Sequence, residues 1–353
     1  MADTTQAIGA SSESKPSYLR FALIGYGYWG PLLLRNLTRL ENAEVSIVAD
    51  LDANRLAEVA KNYPNVQCTQ SVEDVFSSNV DAVCIATPLQ THYKLADEAL
   101  RRGKHVMVEK PLTGTAAEAL KLAQTAKEHN KFLMTGHTYE YSPEVEKLQK
   151  LVSTGELGKL FYINSSRLNL GIFRKDADVI WDLAPHDISM TNFILQKLPI
   201  SVSAQGYSHM NPGHIDVAYM NLKYSDNISA NIHVSWLNPN KERNFTIVGD
   251  KKMVCYDDTA GNEKIKLYNR GVDKPEYSSS FGEFTYSYRY GDIVIPYVQG
   301  AEPLGVECRH FAESIRSHTE PRSGGLVGYN VVKIIETAHR SIEQGGIFLD
   351  IDW

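Results

Sequence analysis

Lys110, Asp182 and His186 have the residue types needed to move a proton on and off a hydroxyl group. Lys110 ends the run His105-Val106-Met107-Val108-Glu109-Lys110-Pro111. This reads as a buried parallel strand, and ligands in such sheets bind beyond the strands' carboxyl ends. Pro111 biases Lys110 toward extended backbone, which sets how its side chain leaves the strand; the alternative is a surface lysine with its stem laid along the protein. His186 follows Pro185, a residue suited to a first helical position, and so is expected in a first turn, where the helix dipole disfavours imidazolium. Asp182 would pull its pKa the other way. Opposed influences of this kind hold an imidazole near neutrality, where it can take and return a hydroxyl proton. A lone histidine is otherwise more often structural.

A second constellation suits a phosphate. Gly25-Tyr26-Gly27-Tyr28-Trp29-Gly30 follows an apolar run and precedes a helical pattern. In that context Gly25 permits a tight turn, Gly27 lets backbone approach a pyrophosphate, and Gly30 allows close helix-strand packing. Asp50 lies about 20 residues further on, where a carboxylate accepts from an adenosine ribose and repels a 2′-phosphate. NAD is therefore expected ahead of NADP, although Arg55 is within reach of a phosphate. The plainer reading has Asp50 capping the next helix.

The elements that must position these residues alternate as strand and helix. Strands are expected at 19–25, 45–49, 82–86, 105–108 and 132–136, with helices from Gly30 to about Leu40 and at 53–62, 92–102 and 116–129; this is the pattern of a doubly wound parallel sheet. From Phe161 the spacing becomes β-rich, with strands at 161–168, 202–207, 217–224, 228–236, 244–249 and 252–257. Helices are expected at 188–195, 307–317 and 326–343. The layout is an α/β Rossmann domain (18–137) followed by an α+β domain with a mostly antiparallel open sheet (138–353), preceded by a polar tail (1–17). The 353 residues agree with about two domains. With 43% hydrophobic residues a sizeable core can form, and a net charge of −6 gives no positive field for nucleic acid or anionic lipid. Four scattered cysteines suggest neither a disulfide framework nor a zinc site. Without a run of about 18 apolar residues or a secretory pattern, a soluble, cytoplasmic protein is expected.

The ordered set Gly25 to Gly30, Ala86-Thr87-Pro88 with His92, Glu109-Lys110-Pro111, Gly155-Glu156-Leu157-Gly158 and Asp182-Leu183-Ala184-Pro185-His186 resembles the glucose-fructose oxidoreductase and inositol dehydrogenase (Gfo/Idh/MocA) family. The resemblance runs from about Leu19 to the C-terminus. It implies NAD(P)-dependent oxidation or reduction of a sugar or cyclitol hydroxyl, with His186 as general acid/base and Lys110 and Asp182 positioning the hydroxyl and tuning the histidine. It implies cofactor contacts from Gly25, Gly27, Tyr28, Trp29, Gly30, Asp50, Thr87, Pro88, His92, Glu109, Lys110 and His137, a homodimer or homotetramer built through the C-terminal sheet, and no metal. Ala184-Pro185 stands where a glycine-containing pair is frequent in the family, which alters the turn between Asp182 and His186.

Substrate choice has several candidates. Arg167-Leu168-Asn169-Leu170-Gly171-Ile172-Phe173-Arg174 combines cations, an amide and an aromatic ring, so Arg167 or Arg174 is expected to pair with a carboxylate or diphosphate, with Asn169 nearby; an ordinary solvated basic loop is the alternative. Tyr139, in His137-Thr138-Tyr139-Glu140-Tyr141, either faces substrate or packs the domain junction. The stretch from Tyr286 to Asp292 either covers the site or forms an edge strand. Together with Gly291-Asp292-Ile293-Val294-Ile295-Pro296, these segments resemble family members that oxidise nucleotide sugars, especially C3 of a UDP-N-acetylhexosamine or its uronate. An inositol or free-monosaccharide dehydrogenase, an NAD-dependent glycosidase and a non-catalytic dinucleotide-binding protein stay open. Neither H-E-x-x-H nor G-x-S-x-G occurs, which disfavours a metal or serine hydrolase.

Overall fold

The computed structural model describes residues 18–171, 173, 177–273 and 287–353; Arg174, Tyr286 and the N-terminal tail lie outside the described residues. Strands β1 (Leu19–Ile24), β2 (Ala43–Ala49), β3 (Gln67–Thr69), β4 (Ala82–Ile85), β5 (His105–Glu109) and β6 (Leu133–Gly136) form a parallel sheet in the order β3-β2-β1-β4-β5-β6. Crossovers run through α1 (Gly30–Leu37), α2 (Ala53–Asn62), α3 (Val72–Ser77), α4 (Leu89–Arg101) and α5 (Ala116–Glu128). The order reverses between β1 and β4, a switch point that opens a crevice at the strands' carboxyl ends. Gly25, Thr87, Lys110 and His137 all follow those ends. Buried on both faces, β1, β4 and β5 carry the apolar runs 21–24, 82–85 and 106–108.

A 3-10 turn (Thr138–Tyr141) and α6 (Pro143–Ser153) lead to β7 (Leu160–Leu170) and α7 (Val179–Leu195). The second sheet adds β8 (Ser201–Tyr207), β9 (Val217–Lys223), β10 (Ser229–Ser235), β11 (Leu237–Gly249), β12 (Met253–Asp257) and β13 (Ile265–Tyr268). A small ribbon of β14 (Gly271–Asp273) and β15 (Ser287–Arg289) precedes β16 (Ile293–Val294), α8 (Pro303–Ser317), α9 (Gly325–Glu343) and β17 (Leu349–Asp350). The nine strands run in the order β16-β13-β12-β11-β7-β10-β9-β8-β17, and of the neighbouring pairs only β7 and β10 are parallel. Inward residues such as Ile163, Ile232, Phe245 and Ile247 pack with Ile180, Ile188 and Ile194 of α7 and Ile334 and Ile335 of α9 in one core. Tyr162 and Tyr219 remain exposed on the opposite face.

Three features depart from the sequence reading. Helix α8 buries Cys308, Phe311, Ala312 and Ile315 in the core of the first sheet, with Phe311 6.3 Å from Phe21, so the Rossmann core also draws on the C-terminal end of the chain. Strands β3, β13, β14, β16 and β17 and helices α3 and α6 add to the elements expected from the sequence. Helix α7 begins at Val179 rather than Ile188: Asp178 caps it by accepting from the N–H groups of Ile180 (3.0 Å) and Trp181 (3.1 Å). Pro185 is therefore inside the helix, a position that costs about 3 kcal/mol. Complete burial of Val179, Ile180, Ala184 and Ile188 offsets that cost.

Candidate active site

The shift in α7 changes the surroundings of His186. It sits in the helix interior, beyond the reach of the N-terminal dipole. Asp182 and His186, one turn apart, share a face. Across the crevice, Lys110 Nζ donates to the Asp182 carbonyl at 2.7 Å and lies 3.6 Å from its carboxylate Oδ1. Pro185 lacks the N–H that would serve the Trp181 carbonyl, and the lysine docks on the next carbonyl of the same turn. The Lys110–Pro111 peptide is cis. Lys110 and Asp182, 72 residues apart in the chain, thus meet with His186 where the first sheet's strand ends face α7.

The expected balance at His186 does not hold. Burial, then the charges of Lys110, Arg167 and Arg243, push its pKa well below the ordinary histidine value. The imidazole is neutral at physiological pH for those reasons, rather than through a helix end opposed by Asp182. Its Nδ1 is buried without a hydrogen-bond partner among the described residues, which leaves Nε2 as the nitrogen able to meet a substrate hydroxyl. Asp182 Oδ2 accepts from Trp236 Nε1 at 3.1 Å, a contact between α7 and the strand ends of the second sheet that sequence reasoning missed.

The glycine fingerprint fits a dinucleotide. Gly25 has φ +96°, and a Cβ there would meet the Ala86 carbonyl oxygen at 2.6 Å, so only glycine makes this turn. A Cβ on Gly27 would meet only Arg55 Nη1, 3.8 Å away; this open backbone is the cradle a pyrophosphate needs. Asp50 does not cap α2, since Asp52 does so through the Asn54 N–H. Asp50 instead accepts from Tyr26 N (2.6 Å) and Asp52 N (2.8 Å), with Arg55 Nη1 3.4 Å away. This holds its carboxylate at the end of β2. Tyr28 is exposed and meets Trp29 edge-on at 5.9 Å.

Other expected contacts are placed differently. His92 is buried, with Nδ1 2.9 Å from the Pro111 carbonyl and Nε2 2.9 Å from the Thr87 carbonyl. It staples two crevice loops together rather than facing a cofactor, and the Thr87 hydroxyl pairs with Thr91. Pro88 is the residue before α4. Glu109 and His137 are buried beside Lys110; Glu109 Oε1 and both His137 nitrogens have no partner among the described residues. Burial raises Glu109 to about 7 against the pull of Lys110, and burial with Lys110 lowers His137 to about 3.

Arg167 is committed internally. Its Nε lies 2.6 Å from Asp187 Oδ2 and its Nη2 3.3 Å from Oδ1, with both side chains buried. The bidentate carboxylate expected from a substrate is Asp187 of the protein itself. Asn169 shares the Arg167 face of β7 by strand alternation. Tyr288 and Tyr290 are exposed, and Tyr288 belongs to the β14–β15 ribbon, so the described part of the tyrosine-rich stretch has the edge-strand form. Among the described residues no cluster suited to a metal ion occurs and no helix is long and apolar enough to cross a membrane.

Two family models match the chain: the oxidoreductase family NAD-binding Rossmann fold at 19–137 and the GFO/IDH/MocA C-terminal domain at 145–255. UDP-N-acetylglucosamine 3-dehydrogenase of Acidithiobacillus ferrooxidans is 28% identical over 261 residues, 72% of this chain and 78% of that protein. The NADP-dependent scyllo-inositol 2-dehydrogenase IolW of Bacillus subtilis is 25% identical over 359 residues, covering 94% and 95%. With several other curated relatives the match spans only 57% to 64% of their length. Among solved structures, an Agrobacterium radiobacter oxidoreductase in complex with NAD+, L-tartaric acid and magnesium superposes with a TM-score of 0.79 at 18% identity, covering 94% of this chain and 98% of that one. With both halves of its fold matched, the chain belongs to the Gfo/Idh/MocA family of NAD-binding oxidoreductases.

Proposed function

We propose that this protein oxidises a secondary hydroxyl of a nucleotide sugar, with C3 of a UDP-N-acetylhexosamine or its uronate as the favoured position. The observation that carries the reading is the meeting of Lys110, Asp182 and the neutral His186 beside the crevice of a dinucleotide fold. NAD supplies the hydride acceptor. His186 Nε2 takes the hydroxyl proton as the carbinol C–H bond breaks and the carbonyl forms. Lys110, held on Asp182, presents its ammonium to the same oxygen and steadies the negative charge that develops there. Trp236 fixes the carboxylate of Asp182, so the lysine keeps a constant anchor.

The nucleotide-sugar class is supported by the 28% identity to UDP-N-acetylglucosamine 3-dehydrogenase over 72% of the chain. Cyclitol oxidation is the second reading, favoured by the nearly end-to-end match to an inositol dehydrogenase. Asp50 at the end of β2 favours NAD over NADP. A second copy of the chain is assigned to the open sheet face that carries Tyr162 and Tyr219. The four free thiols agree with work in a reducing compartment such as the cytosol.

The test incubates protein and NAD+ with UDP-N-acetylglucosamine, its uronate, myo-inositol or free hexoses. NADH formation is followed, and the product is trapped by borodeuteride reduction and mapped by mass spectrometry. Stoichiometric NADH with deuterium at C3 of a UDP-sugar is expected. Turnover on inositol alone would move the assignment to cyclitols, and glycosidic cleavage without net NADH would move it to a hydrolase.

A further inference from the structure

We infer that Tyr139 is a positioning residue for His186, with a hydroxyl consumed by protein groups instead of substrate. The inference rests on the reading of His186 as the base. Tyr139 belongs to the 3-10 turn that leaves β6, and its hydroxyl meets three partners. It donates to Asp258 Oδ2 at 2.8 Å and accepts from Arg167 Nη1 at 3.0 Å and Arg243 Nη1 at 3.1 Å. A phenol has one proton and two lone pairs, so this hydroxyl is saturated. Its partners are themselves fixed. Arg167 and Arg243 face each other directly across β7 and β11, the first paired with Asp187 and the second with Asp258 at 3.0 Å. Asp258 also accepts from Tyr256 at 3.0 Å.

The ring is held as firmly as the hydroxyl. The Arg167 guanidinium lies 4.5 Å from the Tyr139 centroid, and the ring meets that of His186 at 5.2 Å and 66°, an edge-to-face contact. Catalytic imidazoles are ordinarily oriented by a hydrogen bond on the ring nitrogen away from the substrate. Among the described residues His186 Nδ1 has none. Packing must do that job, and Tyr139 is the aromatic partner anchored at its far end by three groups. Of the two readings open for Tyr139, facing substrate or packing the domain junction, the packing one is favoured, and the ring acts through the histidine.

The test uses Tyr139→Phe, which keeps the ring and loses the anchor, Tyr139→Leu, which loses both, and Arg243→Leu, which leaves Tyr139 in place with a weakened anchor. In a first arm, carbethoxylation of His186 by diethyl pyrocarbonate is followed by mass spectrometry without any substrate. The expected order of modification rates is wild type, then Phe and Arg243→Leu, then Leu, because a freed ring exposes its nitrogens. An unchanged rate in Tyr139→Leu overturns the proposal. In a second arm Tyr139→Phe lowers kcat about tenfold with KM nearly unchanged, the signature of a misplaced base. The Tyr139→Phe/Arg243→Leu double variant falls no further than the worse single one. A raised KM with kcat intact would put the hydroxyl on the substrate and overturn the proposal. Absence of turnover in wild type, with the first arm as expected, sinks the reaction reading and leaves the positioning contact standing.

Discussion

Asp187→Ala separates two accounts of Arg167, as an internal strut or as a grip for substrate. In the folded chain the Asp187 carboxylate accepts from Ser165 Oγ at 2.5 Å and Arg167 Nε at 2.6 Å, with Nη2 at 3.3 Å, and all three residues are buried. Without it the guanidinium stays buried, with the Tyr139 hydroxyl as acceptor and Met190 Sδ 4.0 Å away. A buried charge stripped of its counter-ion costs about 3 to 5 kcal/mol, a large share of a typical folding free energy. Replacing both partners at once, Arg167→Met with Asp187→Leu, removes two desolvated charges and is expected to recover most of the loss. Urea unfolding followed by tryptophan fluorescence reads both variants. A loss below about 1 kcal/mol in Asp187→Ala, accompanied by a raised KM, would refute the reasoning and restore Arg167 to the substrate.

Further outcomes follow from the same geometry. Trp236→Phe removes the N–H that holds Asp182 Oδ2 and is expected to lower kcat about tenfold without altering the Kd for NADH measured by fluorescence. Asp50→Ala removes the carboxylate at the end of β2 and should raise the NADH Kd about tenfold while leaving that for NADPH nearly unchanged. Burial raises Glu140 from an ordinary 4.5 to about 8 against the pull of Arg322, so the native state holds a proton that the unfolded chain gives up. That contribution is complete below pH 4.5 and is lost as pH rises through about 8. Glu140→Gln should therefore gain stability relative to wild type between pH 5 and 8, at up to about 1.4 kcal/mol per pH unit, read from unfolding midpoints across that range.

The Rossmann half was legible in the sequence because parallel strands buried on both faces are short apolar runs, and β4 and β5 end within a residue of expectation. Strand β3, Gln67-Cys68-Thr69, escaped because a half-exposed edge strand has no such run. Helix α6 escaped although Pro143 opens it and Val145, Leu148 and Leu151 form its buried stripe, a helical period that was present to be read. The start of α7 is hidden in the sequence because Pro185 suits a helix opening, whereas Asp178, seven residues earlier, supplies the cap.

The site divides along similar lines. Lys110, Asp182 and His186 were marked by motif and strand-end position, and backbone geometry brings them together. Arg243 and Asp258 were not, since their roles arise from register across β7, β11 and β12, and neither was Trp236, which reaches Asp182 of α7 from between β10 and β11. One signal did exist: Arg243 shares strand parity with the inward Phe245 and Ile247, and a charge on an inward face implies a partner.

The central claim is that His186 takes the hydroxyl proton in an NAD-dependent oxidation. It is tested most directly by the initial rate of absorbance increase at 340 nm for wild type and His186→Ala at saturating NAD+ and nucleotide sugar, with the NADH Kd of each measured alongside. A fall in rate of about 10² or more with the NADH Kd within twofold of wild type is the predicted result; a variant that keeps a near-normal rate would contradict it.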